Sequence, residues 1–203
     1  MKIAYHDIYT HPLPADHRFP MLKYELIPAQ LLREGIITPG QLFEPAPATD
    51  ATILLTHTAE YWQKLKDQTL SPQEQRKIGF PQSPALTLRE IVIVQGTIDV
   101  ALHALEHGIG FNVAGGTHHA FAGHGEGFCL LNDFAVAANY LLHQKRVRQA
   151  LVIDLDVHQG NGTAALFADN AHVYTFSMHG AHNYPFRKET SDWDIALQDG
   201  TDT

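Results

Sequence analysis

One segment constrains this chain more than any other. The run Ala150-Leu151-Val152-Ile153-Asp154-Leu155 is apolar except for a single acid, and Asp156-Val157-His158-Gln159-Gly160-Asn161-Gly162 follows it directly. A continuous apolar run of this length reads as a strand buried on both faces of a parallel sheet. Asp154, Asp156 and His158 fall at alternate positions, so a persistently extended chain would turn all three to one side. Acids clustered at the end of a buried strand are costly unless a cation or hydrogen-bond donors compensate. A carboxylate beside an imidazole is an ordinary pair of Zn(II) ligands, and the third group would support them or bind a different cation. The bland alternative is a polar loop that happens to follow a strand. Gly160 and Gly162 argue against it, because they suit a backbone shaped for close approach.

Elsewhere strands and helices alternate, which predicts an α/β domain with a mainly parallel sheet. Strands are expected at 2–5, 110–114 and 172–178 and helices at 21–34, 50–55, 59–66, 86–106, 132–144 and 162–167, with a further helix starting at Ser71-Pro72. Pro72 suits a first helical position, Asn132 a cap, and His107-Gly108 a helix end. In such folds ligands gather at the carboxyl ends of the strands.

Three more segments at strand ends carry chemistry. Asn112-Val113-Ala114-Gly115-Gly116-Thr117-His118-His119-Ala120 sets adjacent histidines in a glycine turn, suited to a general base and an electrostatic partner or simply to a surface pair. The loop at 123–131 has glycines around Phe128 and Cys129, and can wall a narrow channel or pack Phe128 into the core. Cys129 reads as a small buried residue ahead of a nucleophile. Tyr174-Thr175-Phe176-Ser177-Met178-His179 is a strand ending in serine and histidine, and by itself is equally well a buried strand.

Composition narrows the class. The formal net charge of -8 disfavours nucleic-acid and anionic-membrane binding. One cysteine allows no internal disulfide, there is no signal-like start, and no apolar run is long enough to span a bilayer, so a cytoplasmic location is expected. The 14 histidines equal all Lys and Arg together, so position must pick out the few that act.

Together these segments resemble the histone deacetylase family. Gly115-Gly116-Thr117-His118-His119-Ala120, then Gly127-Phe128-Cys129 with Asn132-Asp133, then Asp154-x-Asp156-x-His158-x-Gly160-Asn161-Gly162 carry the resemblance in that order. Weaker matches run from His17-Arg18-Phe19-Pro20 to Tyr184-Pro185, and Asn161, where class I members have aspartate, is closer to class IV and bacterial deacetylase-like members. The resemblance implies a three-layer arginase/deacetylase-like α/β fold with a mainly parallel central sheet, incomplete at the C-terminus. Residues 1–203 would form a single domain, the N-terminal two thirds of the family's. It implies zinc (iron(II) would suit similar ligands) held by Asp156 and His158, with His118 and His119 as catalytic histidines and His119 as the proton shuttle. Asp154 would orient His118, and Asn161 would sit behind His119. A structural potassium or sodium ion would be held by Asp154, Ser177 and the Met178 carbonyl, with the carbonyls of Asp156 and His158. Gly127, Phe128 and Tyr184 would line the substrate channel. The implied reaction is hydrolysis of acyl-lysine peptides or small acylated amines by a metal-activated water.

Two parts of that machinery have no counterpart before Thr203: the family's third zinc-binding aspartate and its oxyanion tyrosine in Gly-Gly-Tyr. Asp192, Asp194 and Asp199 follow His179 too soon to replace the former. Truncation of a longer enzyme is favoured over completion by another chain. An unfinished sheet would leave an open edge for homo-oligomers. A two-ligand site would hold zinc weakly. The alternatives are a non-catalytic fragment and, further off, an arginase-like ureohydrolase, whose Asp-x-His-x-Asp order differs from the order here.

Overall fold

The computed structural model describes residues 1–202. Strands β1 (Lys2–Ala4), β2 (Leu42–Phe43) and β3 (Gly110–Asn112) pair in parallel in the order β2-β1-β3. Strands β4 (Ala150–Asp154), β5 (Val173–Gly180) and β6 (Trp193–Leu197) pair in parallel in the order β4-β5-β6. The helices are α1 (Lys23–Arg33), α2 (Asp50–Ile53), α3 (Ala59–Asp67), α4 (Pro72–Ile78), α5 (Pro84–His107), α6 (Asp133–His143) and α7 (Asn161–Phe167). The expected fold class is present. Its parallel strands form two three-stranded groups rather than one sheet, because β3 and β4 each lack a pairing neighbour on their free side among the described residues.

Local chemistry sets the helix ends. Ser71 and Glu74 close a reciprocal capping box on α4, with Pro72 at its first position. Ser83 caps α5, and Gly108 ends it in a left-handed conformation. α5 is apolar on nearly every side and buries Leu86, Ile93 and Ile98 in the main core beside Ile3, Tyr61 and Leu130. No helix among the described residues is long and apolar enough to cross a membrane.

The second sheet departs from expectation. One face packs on α6 and α7 through Ala135, Ala138, Phe167 and Val173. The other face is open: Leu151 is 59% exposed, Ile153 57% and Trp193 57%. The strand 150–155 is therefore not buried on both faces as its composition implies. An apolar run records what a strand can bury, not whether a second layer covers it. β6 has no counterpart among the expected elements, since a polar stretch precedes it.

His57, between α2 and α3, ties this frame to the loop that carries the site. Its Nδ1 lies 3.0 Å from the Phe121 carbonyl, and its Nε2 accepts from the Asn132 backbone N–H at 3.0 Å. Both ring nitrogens are thus used in the neutral form. Burial lowers its pKa from 6.5 to about 4. Between those values the unfolded chain binds more protons than the folded one, so stability rises with pH across this window. The His57 contribution is complete above 6.5, is lost as pH falls toward 4, and is on the order of 3 kcal/mol. His57→Ala is expected to destabilise the protein at pH 7 by about 2–4 kcal/mol, because it leaves a buried N–H and C=O unpaired. Urea unfolding at pH 7 and pH 5 checks both points, since the deficit of the variant should shrink at the lower pH.

Candidate active site

The glycine turn after β3 is held from below by one acid. Asp133, fully buried at the first turn of α6, accepts from the Thr117 N–H at 2.8 Å, the Thr117 hydroxyl at 2.6 Å, the Gly116 N–H at 3.3 Å and the Thr97 hydroxyl at 2.6 Å. That grip fixes the backbone from which His118 and His119 project. Sequence reasoning marked Asp133 only as part of a matching motif. The signal it overlooked is an acid at the start of an otherwise apolar helix.

Asp154, Asp156 and His158 do not form a single row. Regular strand ends at Asp154, and the chain then bends through two local turns. The Asp156 N–H donates to Asp154 Oδ1 at 3.0 Å, and the His158 N–H donates to Asp156 Oδ1 at 2.8 Å. Short acidic side chains readily bond the backbone two residues on, and here that breaks the alternation. Asp154 turns inward, with Oδ2 2.6 Å from Nδ1 of buried His118. Asp156 and His158 turn outward, their side chains 50% and 43% exposed. A side chain at Gly160 would collide with Asp154 Oδ2 and crowd His118, so only glycine allows this approach.

The outward pair meets the first requirement of a metal centre. Asp156 Oδ1 and His158 Nδ1 are in hydrogen-bond contact 3.0 Å apart, close to the roughly 3.3 Å that separates two ligand atoms on one tetrahedral zinc. The oxygen and nitrogen donors suit zinc, and their exposure leaves room for a cation. They are two donors of a usual four. Among the described residues no cluster of three or more His, Cys, Asp or Glu side chains is placed to hold a metal ion.

Beside them stands His119. Its Nδ1 lies 2.7 Å from Asn161 Oδ1. Its ring is 4.1 Å from that of His118 and 5.9 Å from that of His158, centroid to centroid. Burial, with a smaller push from His118, lowers its pKa to about 4. Tyr184 packs edge-on to it at 4.9 Å, with its hydroxyl pKa raised by burial and then by Glu126. A Cβ on Gly127 (φ 56°) would stand 2.7 Å from the His119 ring and 3.0 Å from that of Tyr184. Phe128 follows with φ 67°, a strained setting for a bulky residue, and is pinned by its N–H to the Ile78 carbonyl at 2.7 Å. Its ring packs on Phe19 and Phe80.

The remaining residues fall around this centre. Ser177 pairs in register with Asp154, and its hydroxyl is 2.9 Å from His179 Nδ1, with Met178 next in the strand. Cys129 is buried, and that burial pushes its thiol pKa up and favours the protonated thiol over the nucleophilic thiolate. Asp192 and Asp194 are engaged internally, Asp192 by the Thr175 N–H and hydroxyl and Asp194 by Gln159 and the Ser191 N–H. Glu126, which sequence reasoning did not single out, accepts from Asn161 Nδ2 at 2.7 Å.

The histone deacetylase domain matches residues 17–202. An uncharacterized protein of Picosynechococcus is 45% identical over 200 residues, covering 98% of this chain and 67% of that protein. The acetoin utilization protein AcuC of Staphylococcus aureus is 32% identical over 181 residues, covering 84% of this chain and 46% of that one. The crystal structure of an HDAC homolog from Aquifex aeolicus superposes with a TM-score of 0.82 at 26% identity, covering 98% of this chain and 59% of that one. The chain thus spans between about half and two thirds of the length of these relatives.

Proposed function

The chain belongs to the histone deacetylase family, and we propose that it carries the zinc-binding and proton-transfer centre of a hydrolase that removes acetyl or other acyl groups from lysine side chains or related amines. The observation that carries this reading is the convergence of two histidine relays, His118–Asp154 and His119–Asn161, beside the Asp156–His158 pair.

Each group has a definite task in that reading. Asp156 and His158 would hold the metal, which would supply Lewis-acid activation of water and of the acyl carbonyl. His119 donates its Nδ1 proton to Asn161 and keeps a bare Nε2. Its low pKa makes the neutral ring the resting form, ready to accept a proton from water. His118 is held by Asp154 through Nδ1, so that its other nitrogen can hydrogen-bond the departing amine. As the acyl C–N bond breaks, the proton taken from water passes to the amine nitrogen. Gly127, Phe128 and Tyr184 form the wall along which an acyl-lysine stem would lie, and Ser177 and Met178 with Asp154 would hold a monovalent cation behind the site. In this reading the protein works in the cytoplasm, and residues 1–203 make one deacetylase-like domain.

Cobalt(II) titration followed by visible absorption, with hydrolysis of a fluorogenic acetyl-lysine peptide in added zinc, tests the reading. His158→Ala and Asp156→Ala are each expected to weaken metal binding at least about tenfold. Metal binding unchanged in both variants would sink the assignment of the centre.

A further inference from the structure

Asn161 stands between two different partners. Its Oδ1 faces His119 Nδ1 and its Nδ2 donates to Glu126 Oε1, each at 2.7 Å. It is buried at the first position of α7. Glu126 is held in turn by its backbone, whose carbonyl accepts from the Cys129 N–H at 2.9 Å, and its negative charge lies near Tyr184. Its carboxylate meets the Nδ2 end of the Asn161 amide.

An amide has a donor end and an acceptor end of nearly the same shape, so an asparagine can turn over without changing its packing. An ionised carboxylate can only accept. Facing one, Asn161 must present Nδ2 to Glu126 and hence Oδ1 to His119. His119 must then carry its proton on Nδ1, which leaves Nε2 free as the base. With the amide reversed, Nδ2 would donate to Nδ1 and the proton would move to Nε2, the wrong end for proton abstraction. A carboxylate at position 161 would need no such control, because both of its oxygens accept.

We propose that Glu126 is a positioning residue that locks the amide of Asn161 and, through it, the tautomer of His119. Its consequence for turnover rests on the deacylase reading above, whereas the tautomer does not depend on that reading.

The test is Glu126→Gln, read by nitrogen-15 correlation spectra of the histidine rings at neutral pH in the full chain. Glutamine fills the same space and can accept the same hydrogen bond, so a merely structural role leaves the His119 signals unchanged. If Glu126 acts by being unable to donate, glutamine allows both amide orientations. His119 should then show the Nδ1–H and Nε2–H forms together, where the wild type shows Nδ1–H alone. In Glu126→Gln/Asn161→Asp the carboxylate at 161 accepts from either side, and the single Nδ1–H form should return. An unchanged spectrum in the first variant, or a persisting mixture in the second, overturns the proposal. The double variant keeps the proposal testable if the single one folds poorly. No turnover is needed for the readout, so its failure is separable from failure of the deacylase reading.

Discussion

His119→Ala is expected to lower kcat for acyl-lysine hydrolysis by about 10²–10⁴-fold while leaving KM nearly unchanged, the pattern of a lost proton-transfer group. The ring lies at the meeting point of the two relays and the Asp156–His158 pair, and it does not itself supply a ligand to that pair. Metal affinity should therefore survive the substitution, which separates this variant from His158→Ala. The pH profile gives a second check. A general base must be neutral to act, and burial lowers the His119 pKa from 6.5 to about 4. The acid limb of kcat/KM should then fall near pH 4 rather than near 6.5, with activity rising as pH increases through it. An alanine variant within a few-fold of wild-type kcat would remove His119 from the mechanism.

How much of this was legible in the sequence depends on how far apart the cooperating residues lie. His118-His119 and Asp156-x-His158 are contiguous motifs, and their residue types already name the chemistry. The strand that delivers Asp154 and the glycine turn before His118 were readable for the same reason, since apolar runs and glycines act locally. The direction of Asp154 followed from the family resemblance, which sets it against His118, and not from the strand pattern. Alternation places it beside Asp156 and His158, but two side-chain-to-backbone bonds end the strand there and turn it to His118 instead. The tasks of Glu126, His57 and Asp133 were not readable because each acts on a partner brought to it by folding. Nothing in Gly-Glu-Gly tells a reader that the acid meets Asn161 across the site. The open face of the β4-β5-β6 sheet was misread for a similar reason: hydrophobicity is a property of the strand, and coverage is a property of the layers around it.

Asp133→Ala is expected to have the largest effect on stability of any single substitution discussed, about 4 kcal/mol, from the number of donors it strands. Asp133 accepts four hydrogen bonds, from Thr97, Gly116 and twice from Thr117, at a fully buried position. Stranding one buried donor costs about 1–3 kcal/mol, and more when its lost partner is charged. The full sum is not expected, because Gly116 and Thr117 are only partly buried and can reach water once the turn loosens. That relief has its own consequence. A turn that has shifted toward solvent no longer holds His118 and His119 at their partners, and proton transfer tolerates little displacement. The protein that remains folded should therefore show a lower kcat, a defect that cannot be assigned to metal loss because Asp156 and His158 sit on a different strand end. Asp133→Asn sharpens the point. It keeps the shape but turns a donor toward donors, so it should recover little of the lost stability, and thermal melts of the two variants should lie close together. If asparagine restored most of the wild-type stability, packing rather than hydrogen-bond acceptance would be what Asp133 provides. The glycine turn would then owe its geometry to the chain on either side.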